Sequence, residues 1–305
     1  MIGGVIINAK KTNDKKTNPM RHSHTARLKA FFETFFSRKL VVVGFIIIMM
    51  IIVIAIFAPL LTQYDPLKSS LKEVLRKPSL LHPFGTDDLG RDILTRIFYG
   101  ARVSLVVGIA STLVAGVVGM IVGLIAGYAG GVVDSVIMRI MDAMLAIPII
   151  ILALFLGSAL GKGLGNIILC IGISMIPRYA RVTRGSVLQV KKLDYVTASK
   201  ISGASKIKIA RVHILKNCLS SNLVMMTMNL GDAILTEASL SYLGMGINPP
   251  TPSWGGMVSN GYDWLSMNPT VAIAPGIFII LTVWAFNVCG DALRDALDPK
   301  LKGVL

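Results

Sequence analysis

The stretch "LVVVGFIIIMMIIVIAIFAPLL", Leu40 to Leu61, decides what class of protein this is. It contains no ionisable residue and no polar face. At 1.5 Å per residue it spans about 33 Å as a helix, enough to cross a bilayer core of about 30 Å. A soluble surface helix keeps a charged stripe; this one has none. The whole chain agrees. Of 305 residues 53% are hydrophobic and only 15% are charged, against about 25% charged in soluble domains. The net charge of +15 would suit nucleic acid only with a basic stripe interleaved with aromatics. There is none, so nucleic acid is excluded as a partner. The excess sits at the N-terminus and between residues 178 and 216, both beside apolar runs, as the positive-inside rule expects.

Working outward from residues 40–61, five more apolar segments read as spans. They lie near Val103–Tyr128, Ile137–Leu160, Leu164–Tyr179, Leu219–Leu243 and Val271–Cys289. The third carries Arg139 and Asp142 at its start and Pro148 inside; the sixth has Pro275 in its first turns. Residues 1–39 form a basic tail holding nine lysines and arginines. Its apolar start is too short, and precedes the charges, so no signal peptide is expected. In "ARLKAFFETFFSRK", Leu28, Phe31, Phe32, Phe35 and Phe36 fall at helical spacing. That pattern fits a helix lying in the membrane interface, and equally a continuation of the first span.

Orientation follows from basic residues. The stretch after the fourth span holds Arg178, Arg181, Arg184, Lys191 and Lys192, then five more between Lys200 and Lys216. The loop Gly244–Thr270 has no lysine or arginine. An even number of spans then places both termini and the loop at 180–218 in the cytoplasm, and Gly244–Thr270 outside. The segment 62–102 conflicts with this: it should be external, yet it carries seven basic residues against five acids. The expected organisation is a tail over 1–39, a first span over 40–61, an external loop over 62–102, a five-helix core over 103–289, and a cytoplasmic tail over 290–305.

The second span has small residues every fourth position: Ser111, Ala115, Gly119, Gly123 and Gly127. On a helix they form one smooth stripe that admits a neighbouring backbone. No catalytic machinery is legible. "GSALGKGLGN", Gly157 to Asn166, has Gly163 where a phosphate-binding loop needs Ser or Thr. No His/Glu spacing suits a metal. Cys170, Cys218 and Cys289 match no metal or redox pattern and read as reduced structural residues. Within the spans Asp142, Asp232 and Glu237 stand out, because ionisable residues there are either functional or paired with neighbouring helices. An ion-driven carrier could use such acids.

The stretch "DYVTASKISGASKIKIARVHILKN", Asp194 to Asn217, is basic and helix-forming between two apolar spans. Asp194 can cap a first helix and Ser205 a second, with Gly203 as the break. Ile207, Ala210 and Ile214 then share one face. Such a segment fits a partner's groove and equally a membrane surface.

This stretch resembles the coupling loop of binding-protein-dependent ABC importers, whose usual form is E-A-A, three residues, G, then I-x-L-P. Thr197-Ala198-Ser199 stands at E-A-A, Gly203 at the glycine, and Ile214, Leu215 and Lys216 near the end. The acid is replaced by Thr197 and the proline by Lys216, which lets the second helix run on toward the fifth span. "HPFGTDDLGRDILTRIFYGARVSLVVG" (His82–Gly108), "EASLSYLGMGINPPTPSWGGMV" (Glu237–Val258) and "LTVWAFNVCGDALRDALDPKLKG" (Leu281–Gly303) resemble the dipeptide/oligopeptide/nickel permeases, and more closely the C-type permease of the pair.

The resemblance implies an all-α, six-span, type I importer-like permease with a cytoplasmic coupling helix, in the cell membrane of a prokaryote. It implies a second homologous permease, two ABC ATPases that bind ATP and magnesium, and an extracytoplasmic binding protein. This chain itself would hold no cofactor and no metal. Asp194, Thr197, Ala198, Ser199, Gly203, Ile214 and Leu215 would couple to the ATPases. Asp232, Glu237 and Trp254 are the candidates for pathway or gating. Short peptides are the expected cargo, with nickel or metal chelates and glutathione as alternatives; an ion-driven secondary transporter is the rival from another class.

Overall fold

The computed structural model describes residues 31–297. The polar start of the chain and its last residues, on which several of the expectations fall, lie outside the described residues. Residues 31–35 are helical and are separated from the first long helix by a turn at 36–38. Phe35 and Phe36 fold back edge-on against Phe45, with ring centroids 6.4 and 5.4 Å away.

The long helices are α1 (Lys39–Leu61), α2 (Ile93–Ala129), α5 (Leu164–Val190), α8 (Leu215–Tyr242) and α10 (Thr270–Leu297). Between them lie α3 (Gly131–Leu145), α4 (Ile149–Leu160), α6 (Asp194–Ile201), α7 (Lys206–Ile209) and α9 (Trp254–Tyr262). By length and apolarity α1, α2 and α10 qualify as membrane spans, and the bent pair α3–α4 adds a fourth when counted as one broken span. α5 and α8 are long enough, but Arg178, Arg181 and Arg184 on one, and Asn222, Asn229, Asp232 and Glu237 on the other, lower their apolarity.

The third expected span, Ile137–Leu160, is not one straight helix. α3 and α4 meet at 95°. Pro148 stands at the break: it has no N–H to continue the ladder and disfavours the helical region for the residue before it.

Neighbouring glycine contacts give the directions of the helices. Along α2, Gly119, Gly123 and Gly127 meet Tyr179, Ala180 with Thr183, and Val187 of α5, so α2 and α5 run parallel. Gly108 and Gly116 meet Ile234 and Met226 of α8, so α8 runs antiparallel to both. Gly231 of α8 meets Val283, and Gly290 meets Met228, which sets α10 antiparallel to α8. The bundle therefore has two poles. One holds residues 62–92 and 244–269; the other, the basic pole, holds residues 191–214. Arg38 pairs with Asp295 at 3.0 Å at the basic pole.

Helix α2 starts at Ile93, ten residues before the expected start of the second span at Val103, and its 37 residues reach about 55 Å. Asp92 starts it, accepting from the Thr95 amide and hydroxyl, both at 2.7 Å. The preceding segment is tightly tied. Asp87 accepts from the Arg91 Nε at 2.7 Å and from the Leu89 amide at 3.0 Å. His82 Nδ1 lies 2.9 Å from Asp92. Gly90 requires its positive φ of 72°, and a Cβ there would sit 1.9 Å from the Ser70 carbonyl. Asn268 Nδ2 donates to the Arg76 carbonyl at 2.9 Å, and Thr270 Oγ1 to the Phe84 carbonyl at 2.6 Å. These bonds join the two loops of this pole into one cap.

Three of the seven basic residues that conflicted with the charge rule are held internally. Arg91 pairs with Asp87. Arg96 Nη1 donates to the Pro66 carbonyl at 2.7 Å. Arg102 donates to the carbonyls of Ala55 and Ile56.

Candidate functional site

At the basic pole the chain forms two short helices around Gly203, whose φ is +79°. Leu193, not Asp194, occupies the cap position of α6, and Asp194 lies in the first turn. Its charge there complements the amide end of the helix without a side-chain cap bond. The Ser205 hydroxyl accepts from the Lys208 amide at 3.3 Å and starts α7. α7 does not end before the bundle. It passes through a π-turn, Ala210–Ile214, directly into α8.

The π-turn adds a residue to its winding, which changes the faces expected from the sequence. Ile207 was expected to share a face with Ile214. Instead Ile209 and Ile214 are buried together, at 1% and 0% exposure, while Ile207 is 71% exposed. Val187, Val190, Val196, Ile209, Ile214 and Cys218 form one apolar cluster with Leu124 and Tyr128 packed against it. The short helices are thereby seated on the ends of α2, α5 and α8. Lys191 Nζ donates to the Tyr128 carbonyl at 2.8 Å. Asn217 Nδ2 bonds the Tyr195 hydroxyl at 3.0 Å, and Ser199 Oγ lies 3.4 Å from His213 Nε2.

What remains outward is Ile201, 83% exposed, with Ile207, Thr197, Ala198 and Gly203. Lys200, Lys206, Lys208 and Arg211 surround them, all exposed. Leu215 is half-buried and belongs to the start of α8.

The small-residue stripe supports this pole from within. Ser111, Ala115, Gly119, Gly123 and Gly127 are all buried. A Cβ on Gly119 would lie 2.5 Å from the Tyr179 Cβ, and one on Gly123 2.3 Å from the Ala180 carbonyl. The contact between α2 and α5 is the most extensive between any two elements. Polar bonds tie α5 to α8: Asn222 Nδ2 donates to Thr183 Oγ1 at 2.9 Å, and Asn229 Nδ2 to the Tyr179 hydroxyl at 3.1 Å.

The acids singled out within the spans are not brought together. Glu237 is fully buried near the cap, where its Oε1 accepts from Ser241 Oγ at 2.8 Å and its carboxylate lies against Ser253. Trp254 is also fully buried; its Nε1 donates to the Ile97 carbonyl at 2.9 Å. It is an anchor between α2, α9 and α10. Asp232 and Asp142 instead face arginines of α5.

Those arginines were read as basic residues at and beyond the end of the fourth span, near Tyr179. The helix in fact continues to Val190. Arg178, Arg181 and Arg184 follow one another every third residue along α5. They pair with Asp232 at 3.4 Å, Asp142 at 2.5 Å and Asp134 at 2.5 Å. The spacing was visible in the sequence; the partners, 39 to 54 residues away, were not.

Residues 119–303 match the family described as binding-protein-dependent transport system inner membrane component, and residues 27–81 match the N-terminal transmembrane domain of oligopeptide transport permease C. The chain is 45% identical to the oligopeptide transport system permease of Bacillus subtilis, over 88% of each chain. It is 40% identical to the di/tripeptide transport system permease of Pseudomonas aeruginosa, covering 90% of this chain and 93% of that one. It is also 40% identical to a glutathione transport system permease of Escherichia coli, over 90% of each. In three dimensions it resembles the inward-facing MetNI methionine ABC transporter, with a TM-score of 0.55 at 21% identity, over 68% of this chain and 98% of that one.

Proposed function

The chain belongs to the family of binding-protein-dependent transport system inner membrane components and is a permease subunit of an ABC importer; from that premise we propose how it is driven and what it carries. The basic pole faces the cytoplasm, with both chain ends on that side, and α1, α2, the α3–α4 pair, α5, α8 and α10 make six crossings. A second, similar permease completes the path. Two ATPase subunits, which bind ATP and magnesium, engage the turn at 201–207. A binding protein delivers cargo to the opposite cap.

One observation carries this reading. Ile201 and Ile207 are large, apolar and exposed within a ring of lysines, on helices fixed to three long helices by a buried cluster. A surface that presents apolar tips on a rigid base suits insertion into a groove. Movement of that groove then reaches α2, α5 and α8 without loss in a flexible link. The continuous passage from α7 into α8, where relatives of the motif carry proline, strengthens the connection.

The cargo is a short peptide. The relatives at 40–45% identity are named for oligopeptides, di/tripeptides and glutathione, and the last is itself a peptide.

The test is a pair of substitutions at Gly203. Its positive φ is strained for a β-branched residue, by about 1–2 kcal/mol, and tolerated by asparagine. Gly203→Val is expected to abolish peptide uptake in the reconstituted complex while the permease pair still assembles and ATP hydrolysis loses its dependence on the loaded binding protein. Gly203→Asn is expected to retain uptake. Normal coupled uptake by Gly203→Val would refute the docking role.

A further inference from the structure

The paired charges along α5 have a position that their stabilising role does not explain. Arg178 is 14 residues from the start of α5 at Leu164, about 21 Å along the axis. Its partner Asp232 is 10 residues from the end of α8 at Tyr242, about 15 Å. In a bilayer core of about 30 Å this pair stands near mid-depth. Yet the Arg178 and Asp232 side chains are 42% and 49% exposed, and those of Arg181 and Asp142 are 58% and 50% exposed. Charges at that depth do not face lipid without a penalty of several kcal/mol. The face they occupy meets water or other protein.

The geometry favours water. Each arginine already has its acid, so the face is neutral pair by pair and needs no charged partner chain. The Arg178–Asp232 contact is a single loose one at 3.4 Å. A guanidinium carries five donors and a carboxylate several acceptor sites, so most of this capacity is open. Successive arginines at three-residue spacing turn by about 60° around the helix, which moves the pairing from α8, at Asp232, to α3, at Asp142 and Asp134.

One helical turn from Arg178 is Val182, and one turn from Asp232 is Met228. Both line one end of a cleft of about 670 Å³, with Val224 and Met225, whose other end is polar and reaches Lys216, Asn217 and Arg294 toward the basic pole. Methionines adapt to side chains of varied shape.

We propose that the Arg178–Asp232 and Arg181–Asp142 pairs line the translocation path and hold the charged ends of a peptide in transit, the carboxylate on arginine and the ammonium on aspartate. This rests on the reading of the chain as a peptide permease. A zwitterion can exchange with a pre-formed ion pair at little net electrostatic change, so it is held without being trapped. The cleft beside the ladder receives its side chains.

The experiment uses the full complex with its binding protein, in a background where Cys170, Cys218 and Cys289 are replaced by alanine. Arg178→Cys and Asp232→Cys are treated with a membrane-impermeant charged thiol reagent, with and without trialanine and ATP. Both are expected to react and to be protected while trialanine is transported. Arg178→Gln is expected to lower the apparent affinity for trialanine about tenfold, the loss of one charge-assisted contact, with Arg178→Lys restoring most of it. Protection is the deciding readout. Reaction with lipid-soluble maleimide alone, or impermeant labelling that trialanine leaves unchanged, overturns the proposal. If the unaltered complex shows no ATP-dependent trialanine uptake, the peptide-permease reading fails instead.

Discussion

At the scale of single residues, Trp254 and Asp88 illustrate how the cap works. Trp254 was a candidate for pathway or gating. The structure buries it completely, with its indole N–H bonded to Ile97. Trp254→Ala is expected to destabilise the detergent-solubilised protein by about 3–5 kcal/mol. Trp254→Phe, which loses the hydrogen bond and one ring but keeps an aromatic core, should cost less, about 2 kcal/mol. Thermal unfolding separates the two. Asp88 lies beside Asp87, and burial, followed by that neighbouring carboxylate, raises its pKa above the usual 3.8. The folded state therefore holds this proton more tightly than the unfolded chain. Relative to the ionised group, its contribution is fully present below pH 3.8 and is lost as pH rises through the raised value. Asp88→Asn should melt higher than the parent at pH 8, with the difference shrinking as pH falls through the raised value toward 3.8. A difference that stays constant down to pH 3.8 would contradict this assignment.

At the scale of elements, the decisive contact is that of α2 with α5. The four-residue period of small side chains was legible in the sequence, and so was its meaning as a packing face. Its partner was not, because a smooth stripe accepts any helix of suitable shape. Gly123→Ala tests the fit. A Cβ there would meet the Ala180 carbonyl at 2.3 Å, and the backbone cannot yield as a flexible side chain would. The expected cost is about 1–3 kcal/mol. Gly185→Ala on α5, where nothing lies within 4 Å, should be neutral or slightly stabilising, since alanine favours a helix by about 1 kcal/mol. Melting curves of both variants in detergent check the contrast. The bend between α3 and α4 was signalled by Pro148, but its size was not, because proline breaks a helix without fixing the angle that follows. Similarly, the π-turn at 210–214 left no signature in the pattern, and the exposure of Ile207 follows from it.

At the scale of the whole molecule, the chain presents two structured poles separated by a bundle. Exposed apolar residues cover much of α1 and parts of α2, α4 and α10, as expected of surfaces that meet lipid. The basic pole offers a rigid surface with apolar tips, the other a cap closed by side-chain bonds, and the ladder of ion pairs runs between them along α5. The apparent conflict with the charge rule at 62–102 weakens at this scale. Arg91 and Arg96 are paired with Asp87 within the fold, so the number of basic residues in the sequence overstates the free charge of the cap.

The sequence alone determined the membrane class, the helical content and the family, because these depend on local quantities: the length of apolar runs, the spacing of small residues and the order of motifs. It also located Gly203, which needs only a turn with positive φ. Tertiary structure decided which residues face one another. Arg178, Arg181 and Arg184 looked like loop charges until Asp232, Asp142 and Asp134 were brought beside them. Trp254 is enclosed between α2, α9 and α10, and Glu237 is buried against Ser241, placements that no local pattern announced. The physical reason is that pairing energy and desolvation depend on distances between residues far apart in the chain, and no local pattern records those distances.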